Sequence, residues 1–175
     1  SFDDSRVQLL HQDAREYLAR SQEQFDVLVM DLVDPLEGGT AYLLYTEEFY
    51  QIVKSRMARD SILVTQSGAA GLAGYQECLT TIQDTLSQVF RHTAVCQVHV
   101  PSFQTIWGFT LASESALPRL TVQEVDRLVA QRIAGGRKFY DGETHQGMFS
   151  LPKFLRDGIQ QEHRLNRDSS PVFMA

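Results

Sequence analysis

The sequence predicts an α/β fold with a mostly parallel sheet, and two patterns support this fold class. Segments typical of strands alternate with segments typical of helices, as expected when helices connect neighbouring parallel strands. Two strand segments, residues 25–31 and 61–66, are almost continuously apolar, as in strands that are buried on both faces of a sheet. At 175 residues, the chain is long enough for one domain with its own core.

Local signals place the helices between these strands. Asp13 is a plausible N-cap for the short helix that follows it, and Thr46 is a candidate N-cap for the next helix. Glu47 and Glu48 fall in the first turn of that helix, where the helix dipole favours acidic residues. The short segment "PSFQ" joins two late strands that are predicted to form an antiparallel hairpin. The remaining elements are predicted as a strand at 7–11, a helix at 74–90, the hairpin strands at 92–101 and 105–113, and a charged helix at 121–133.

Composition and charge restrict the class of protein. The formal net charge of -6 argues against nucleic acid and suits a cationic ligand, although an ordinary acidic protein would carry the same charge. No apolar run reaches the roughly 18 residues of a membrane span, and the first residues lack the layout of a secretory signal. The two cysteines form no CxxC pair and indicate no disulfide framework. We therefore expect a cytoplasmic protein that binds neither membranes nor nucleic acid.

Polar residues follow the predicted strands, at the edge of the sheet where open α/β folds bind their ligands. Four residues have this position, namely Asp13, Asp31, Gln66 and Ser67. A ligand that lies across this edge would meet carboxylate, amide and hydroxyl groups together.

The segment "DLVDPLEGG" places three carboxylates, from Asp31, Asp34 and Glu37, on one short loop after an apolar strand. Pro35 restricts Asp34 to an extended or turn conformation, and the two glycines allow close backbone approach. Such a loop suits an amine substrate, because one carboxylate can accept a proton while the others bind ammonium groups. The same residues are equally typical of a turn, since Asp-Pro often starts one, and Asp13 is more typical of a helix N-cap than of a ligand contact.

Other kinds of site are not indicated. The five histidines show no metal-ligand spacing and there is no histidine–cysteine cluster, so no metal is expected. The nucleophile motif GxSxG is absent, and "SGAAGLAG" fits no phosphate-binding template. Phe103 follows Pro101 on the hairpin turn, where an aromatic ring could wall a pocket for an alkyl chain, although aromatic residues are more often part of a core.

Several motifs in one order resemble the polyamine aminopropyltransferases, the spermidine/spermine synthase family. The motifs are "DLVDPLEGG", "LYTEEFY", "ILVTQSG" and "VHVPSF" followed by "WGF". The forms "DPLEGG", "LLYT", "HVPSF" and "TIWGF" are most similar to the thermospermine synthase branch. The resemblance implies a Rossmann-like, methyltransferase-type sheet. It also implies transfer of an aminopropyl group from decarboxylated S-adenosylmethionine to an amine, which releases methylthioadenosine.

The resemblance assigns roles to the carboxylates of the loop. Asp31 matches the family's general base, which accepts the proton of the attacking amine. Asp34 matches a second acid, which holds the amine or the aminopropyl end of the donor. Glu37 stands where spermidine synthases usually have a small residue, which implies contact with an ammonium group of a longer polyamine.

Four further residues match binding positions of the family. Asp13 and Ala14 match the contact to the adenine of the donor, and Gln66 matches a glutamine that lines the polyamine site. Phe103 stands where spermidine synthases carry a tyrosine, and the absence of that hydroxyl is consistent with a different amine acceptor. Decarboxylated S-adenosylmethionine is a co-substrate in this chemistry, so we expect no cofactor and no metal.

The same resemblance implies that part of the family's fold lies outside these residues. The family's Gly-rich loop, its acidic ribose contact and its N-terminal β domain have no counterpart here, so the first strands of the sheet are missing. Residues 1–175 would then be the C-terminal part of the catalytic domain, with a core at 6–113 and a helical segment at 119–165. We expect exposed sheet edges and no activity from the isolated chain, and a homodimer or homotetramer for the whole protein.

Three other functions stay open at this point. A spermidine synthase acting on putrescine would use the same base, and a polyamine-binding or regulatory homologue would have no catalytic activity. A methyltransferase on the same scaffold would not need Asp31, Asp34 and Glu37 together. The sequence fixes neither the acceptor amine nor the product isomer.

Overall fold

A four-stranded mixed sheet forms the centre of the structure, a computed structural model that describes residues 3–174. The sheet contains β1 (Phe25–Met30), β2 (Met57–Ala69), β3 (His92–Val100) and β4 (Thr105–Ser113), and their order across it is β1-β2-β4-β3. β1 and β2 are parallel, whereas β4 is antiparallel to both β2 and β3. The predicted α/β class and the predicted C-terminal hairpin are confirmed, in a sheet that mixes the two pairings.

Two helices begin at the caps that the sequence predicts. Oδ1 of Asp13 accepts the backbone N–H of Glu16 at 2.8 Å, and Oγ1 of Thr46 accepts that of Phe49 at 3.4 Å. A series of turns at residues 71–78 makes the third helix begin later than predicted. Among the helices of residues 3–174, none combines the length and the hydrophobicity needed to cross a membrane. The helices are α1 (Ala14–Arg20), α2 (Glu47–Ser55), α3 (Leu79–Val89), α4 (Val122–Arg132), α5 (Gly142–Phe149) and α6 (Lys153–Gln161).

The strand predicted at residues 7–11 is wrong, because these residues form no strand in the structure. A strand is stable only when its backbone groups pair with a neighbour. No strand of the described sheet pairs with this segment. Its apolar side chains are exposed as a result, with Val7, Leu9 and Leu10 at 45%, 55% and 44%.

The main core lies between one face of the sheet and the helices α1, α2 and α3. Leu63 of β2 is fully buried there, together with Phe49 and Val53 of α2 and Leu86 of α3. These residues recur at helical spacing in α2 and α3, so each helix presents one apolar face to the sheet. This packing fixes the positions of β1 and β2 relative to each other, so the loop that follows β1 begins at a rigid part of the fold.

β1 is buried on one face only, which contradicts the prediction that it is buried on both. Met30 is buried and Leu28 packs against the core, but Val27 and Val29, which alternate with them, are 59% and 68% exposed. The physical reason is that α1 to α3 cover a single face and that β1 is the terminal strand of the described sheet.

The C-terminal tail, defined as residues 162–174, runs over the ends of several elements. Within it, Asn166 is buried, and Asp168 forms an ion pair of 2.5 Å with Arg15 of α1. The tail reaches the loop after β1, where the backbone N–H of Met174 donates to the carbonyl of Pro35 at 3.1 Å. The tail therefore links helix α1 to the edge of the sheet where the strands β1 and β2 end.

Candidate functional site

The loop that follows β1 carries the carboxylates and lies beside Gln66 of β2. We call residues 31–39 the acidic loop. Met30, the last residue of β1, pairs with Thr65 of β2 in parallel register, so Asp31 leaves the sheet at the level of Gln66. Gln66 lies inside β2, which continues to Ala69 along β4, so the prediction that Gln66 and Ser67 follow the strand is wrong. The pairing of β1 with β2 ends at Thr65, and this brings the acidic loop beside Gln66.

The amide of Gln66 is the centre of a hydrogen-bond network that holds the acidic loop. Its Nε2 donates to Oδ1 of Asp34 at 3.2 Å, to the carbonyl of Leu32 at 3.2 Å and to the hydroxyl of Tyr45 at 2.6 Å. Its Oε1 accepts the backbone N–H of Gly68 at 3.1 Å and the indole N–H of Trp107 at 2.8 Å. Gln66 itself is buried, with 6% of its surface exposed.

The orientation of this amide follows from its partners. The backbone N–H of Gly68 and the indole N–H of Trp107 can only donate, so the amide oxygen must face them. The amide nitrogen must therefore face Asp34, whose carboxylate can only accept while it is ionised. Two hydrogens serve three acceptors on that side, and the bond to Tyr45 is the shortest of the three. Gln66 is saturated by protein groups and fixes the carboxylate of Asp34.

Tyr45 is a site residue that sequence reasoning did not single out. The residue is fully buried, and its hydroxyl donates to the carbonyl of Val33 at 3.1 Å while it accepts from Gln66. Burial is the main cause that raises the pKa of the Tyr45 hydroxyl, and the charges of Asp34 and Asp31 add to it, against the hydrogen bond from Gln66. The hydroxyl consequently stays protonated and can hold the loop as a donor. Its position directly before the predicted N-cap was the available sequence signal.

The three predicted carboxylates differ in how the protein holds them. Asp34 is half-buried and hydrogen-bonded by Gln66. Asp31 and Glu37 are exposed, and no hydrogen bond to either carboxylate is present within residues 3–174. The charges of both Asp31 and Asp34 contribute to the raised pKa of the Tyr45 hydroxyl, and both carboxylates belong to the acidic loop. Of these two carboxylates, one is fixed and the other is available to an external proton or cation.

The aromatic residues of the hairpin connect to the same network. Phe103 lies on a short 3-10 turn, Pro101–Phe103, and is 55% exposed, so it is not part of the core. Its ring centroid lies 4.7 Å from that of Trp107 at an interplanar angle of 52°. Because Trp107 also bonds Gln66, an unbroken series of contacts runs from Asp34 through Gln66 and Trp107 to Phe103.

Asp13 and Ala14 lie at the start of α1, on a different element from this network. The carboxylate of Asp13 caps the helix, as the sequence predicted, and its contact to a donor adenine stays a prediction. The link to the rest of the site is Arg15, which donates to the carbonyl of Leu43 at 3.0 Å and to Asp168. Helix α1 is therefore tied to the segment between the acidic loop and α2.

Three other kinds of site, namely a metal site, a cavity and a reactive thiol, can be compared with this one. Within residues 3–174, no group of three or more His, Cys, Asp or Glu residues could hold a metal ion. A cavity of about 990 Å³ lies between β3, β4 and α5, with Leu111 and His145 in its wall, and none of the seven predicted site residues lines it. The thiols of Cys78 and Cys96 are buried, and burial raises their pKa to about 12 and about 11. Neither thiol is ionised at neutral pH.

Comparison with known sequences gives a consistent set of relatives. Residues 1–124 match the family described as the spermine/spermidine synthase domain. The polyamine aminopropyltransferase of Sulfolobus acidocaldarius is 35% identical over 173 residues, which cover 98% of this chain and 57% of that protein. The polyamine aminopropyltransferase 2 of Hyperthermus butylicus is 37% identical, over 99% of this chain and 57% of that protein. The thermospermine synthase of Arabidopsis thaliana is 33% identical, over 99% and 51%.

Comparison with solved structures gives the same fold. The spermidine synthase of Thermotoga maritima superposes with a TM-score of 0.74 and 25% identity, over 92% of this chain and 52% of that one. A spermidine synthase in complex with the transition-state analogue AdoDATO superposes with a TM-score of 0.72 and 23% identity, over 92% and 51%. The chain thus spans about half the length of the relatives it matches.

Proposed function

Because this chain belongs to the spermine/spermidine synthase domain family, as its motifs predicted, we propose that the protein carrying it transfers an aminopropyl group to a polyamine. The donor in this proposal is decarboxylated S-adenosylmethionine, the acceptor is spermidine and the product is thermospermine. The observation that carries the proposal is the carboxylate of Asp34, which Gln66 of β2 fixes on the same short loop that carries the exposed carboxylate of Asp31.

In the proposed reaction, an amine nitrogen attacks the carbon next to the sulfonium of the donor. The new N–C bond forms as the C–S bond breaks, and the electron pair goes to sulfur, which leaves as the neutral thioether methylthioadenosine. The acceptor is an ammonium ion at neutral pH, so it must lose one proton to free the attacking lone pair. Asp31 accepts that proton and, because it is exposed, returns it to solvent.

Asp34 has the role of orienting the amine. One of its oxygens accepts from Gln66, and its remaining acceptor capacity is open to an ammonium group. Gln66 acts on the amine through Asp34, because both ends of its amide already have protein partners. Holding the nucleophile in line with the sulfonium can supply most of the acceleration, since the sulfonium leaves without acid assistance.

The preference for spermidine rests on two exposed residues. Phe103, stacked on Trp107, offers an apolar surface to the methylene chain of a polyamine. Glu37 offers a further carboxylate on the acidic loop, which suits an additional ammonium group of a longer amine. A spermidine synthase acting on putrescine is the second candidate, favoured by the structural similarity to the spermidine synthase of Thermotoga maritima.

The test uses the complete protein that carries these residues. It is incubated with the donor and either spermidine or putrescine, and the products are separated by chromatography, with Asp31→Asn and Asp26→Asn in parallel. Asp26→Asn is the matched control, because it makes the same change on an exposed residue near the start of β1. We expect thermospermine from spermidine, a loss of at least 100-fold in kcat for Asp31→Asn and wild-type activity for the control.

Other outcomes would decide against parts of this proposal. Spermidine formed from putrescine alone would replace the acceptor and remove the role given to Glu37 and Phe103. Equal activity of the two asparagine variants would exclude Asp31 as the base. Polyamine binding without any product would support a non-catalytic homologue.

A further inference from the structure

We infer that the C-terminal tail is a positioning element of the amine site, in which the backbone N–H of Met174 holds the acidic loop at Pro35. The inference rests on the proposed function for its kinetic consequence, while its structural part can be tested without any turnover. It concerns residues far from the sequence motifs of the site.

Met174, the last described residue of the tail, contacts a neighbour of each partner of the hydrogen bond between Asp34 and Gln66. On one side, the N–H of Met174 donates to the carbonyl of Pro35, the residue after Asp34, at 3.1 Å. On the other side, a Cβ built on Gly68 would lie 2.9 Å from the terminal methyl of Met174, so that methyl rests against the Gly68 backbone. Gly68 in turn donates its N–H to Oε1 of Gln66.

The acidic loop has few other attachments to the body of the fold. Its first half is held by Gln66, which bonds the carbonyl of Leu32 and the side chain of Asp34, and by the Tyr45 hydroxyl at Val33. Beyond Asp34, the residues 36–39 are exposed, and the bond from Met174 to Pro35 is the attachment nearest to them. Removing it would free the half of the loop that carries Glu37.

The tail is anchored strongly enough to act as a support, and its first anchor is Asn166. This residue is 1% exposed, and its backbone N–H donates to Oγ1 of Thr85 at 2.9 Å while its carbonyl accepts the N–H of Glu47 at 2.8 Å. Its side-chain Oδ1 accepts the N–H of Val172 at 3.0 Å. The side chain thereby fixes the direction in which the tail leaves toward Met174.

The second anchor is Asp168, which joins three elements. Its carboxylate accepts from Oγ1 of Thr46 at 2.6 Å and from Arg15 at 2.9 and 2.5 Å. Its backbone N–H donates to Glu48 at 3.0 Å. Since Arg15 follows Ala14 and Thr46 caps α2, the tail connects the helix assigned to the donor with the loop assigned to the amine.

The test compares two substitutions at Met174 in the complete protein. Met174→Pro removes the N–H that bonds Pro35, and Met174→Ala, the matched control, keeps that N–H while it removes the same side chain. We expect the KM for the amine to rise about three- to tenfold in Met174→Pro relative to Met174→Ala, as for the loss of one hydrogen bond. The KM for the donor should differ less than twofold between the two variants. Equal amine KM values, or equal rises in both KM values, would overturn the inference.

Hydrogen exchange separates this inference from the proposed function. Amides of residues 36–39 should exchange faster in Met174→Pro than in Met174→Ala, with unchanged exchange in α3, and this result needs no catalysis. Unchanged loop exchange would refute the role of the tail even in an active enzyme. If no aminopropyl transfer is found but loop exchange rises, the proposed function fails and the positioning role stands. Should Met174→Pro not fold, replacing the peptide bond before Met174 by an ester removes the same N–H and keeps the side chain, and comparison with the wild type then makes the same test.

Discussion

Replacing Gln66 by glutamate would place a second carboxylate against Asp34 and test the network directly. In Q66E, one carboxylate oxygen can still accept from Gly68 and Trp107. The other oxygen takes the place of the amide nitrogen, which lies 3.2 Å from Oδ1 of Asp34 in the wild type. Two like charges at that distance repel by about 5 kcal/mol at an effective dielectric constant of about 20. Because Asp34 is half exposed, solvent reduces this value, but the pair is still expected to keep one shared proton at neutral pH.

The shared proton makes the free energy of unfolding depend on pH. Between about pH 4, where free carboxyl groups titrate, and the raised pKa of the folded pair, the folded Q66E protein binds one proton more than the unfolded chain. Its stability relative to the wild type is therefore greatest at and below about pH 4, and it falls by up to about 1.4 kcal/mol per pH unit within this window. The fall ends at the pH where the folded pair loses its proton.

The assay is urea unfolding of the chain at pH 5, 6 and 7, followed by tryptophan fluorescence. Trp107 is the only tryptophan and bonds Gln66 itself, so its emission reports on the altered position. Q66M is the control, because it removes the same hydrogen bonds without adding a charge and should lose stability equally at each pH. If the difference between Q66E and Q66M did not grow with pH, Asp34 would not face this side chain and the assigned orientation of the amide would be wrong.

Two further predictions concern residues that support the site. Tyr45→Phe leaves the Val33 carbonyl without its donor and removes the shortest hydrogen bond of Gln66, so we expect a loss of about 1–3 kcal/mol in the free energy of unfolding, measured in urea. A loss below about 0.5 kcal/mol would show that the loop does not need this hydroxyl. Hydrogen bonding to Arg15 lowers the pKa of Asp168, so this carboxylate stabilises the fold above about pH 4 and ceases to do so as the pH falls through its lowered folded value. Between pH 4 and pH 2, the melting temperature of Asp168→Asn should therefore fall less than that of the wild type. An equal fall of the two melting temperatures would contradict this.

Much of the site could be predicted because its signals are local. Asp31 follows an apolar strand and Gln66 comes late in the next one, so the parallel pairing of the two strands brings them to the same level of the sheet. The caps of Asp13 and Thr46 are also local, since each bonds a backbone N–H three residues later. Such features depend on a few residues that are close in sequence, so they can be predicted without knowledge of the rest of the fold.

The features that could not be predicted depend on distant neighbours. Tyr45 and Trp107 are apolar enough to be counted as core, and only the fold shows that their polar ends meet at Gln66. The segment at 7–11 and the face of Val27 and Val29 have the composition of buried strand, but burial requires partners that the described sheet does not provide. An apolar pattern shows that a segment could be buried, but whether it is buried depends on the strands and helices that the fold places against it.

The contacts of Asp168 have a consequence for the order in which the chain folds. They join Asp168 to Arg15 and Thr46 over 153 and 122 positions of sequence, whereas the caps of α1 and α2 span three positions each. Contacts of such separation form late, since closing a long loop costs chain entropy before any bond compensates it. During synthesis, β1, β2 and α2 can already be assembled while the carboxylates after β1 are still unsupported. The contact of the tail with the acidic loop can therefore form only after residue 174 has been made.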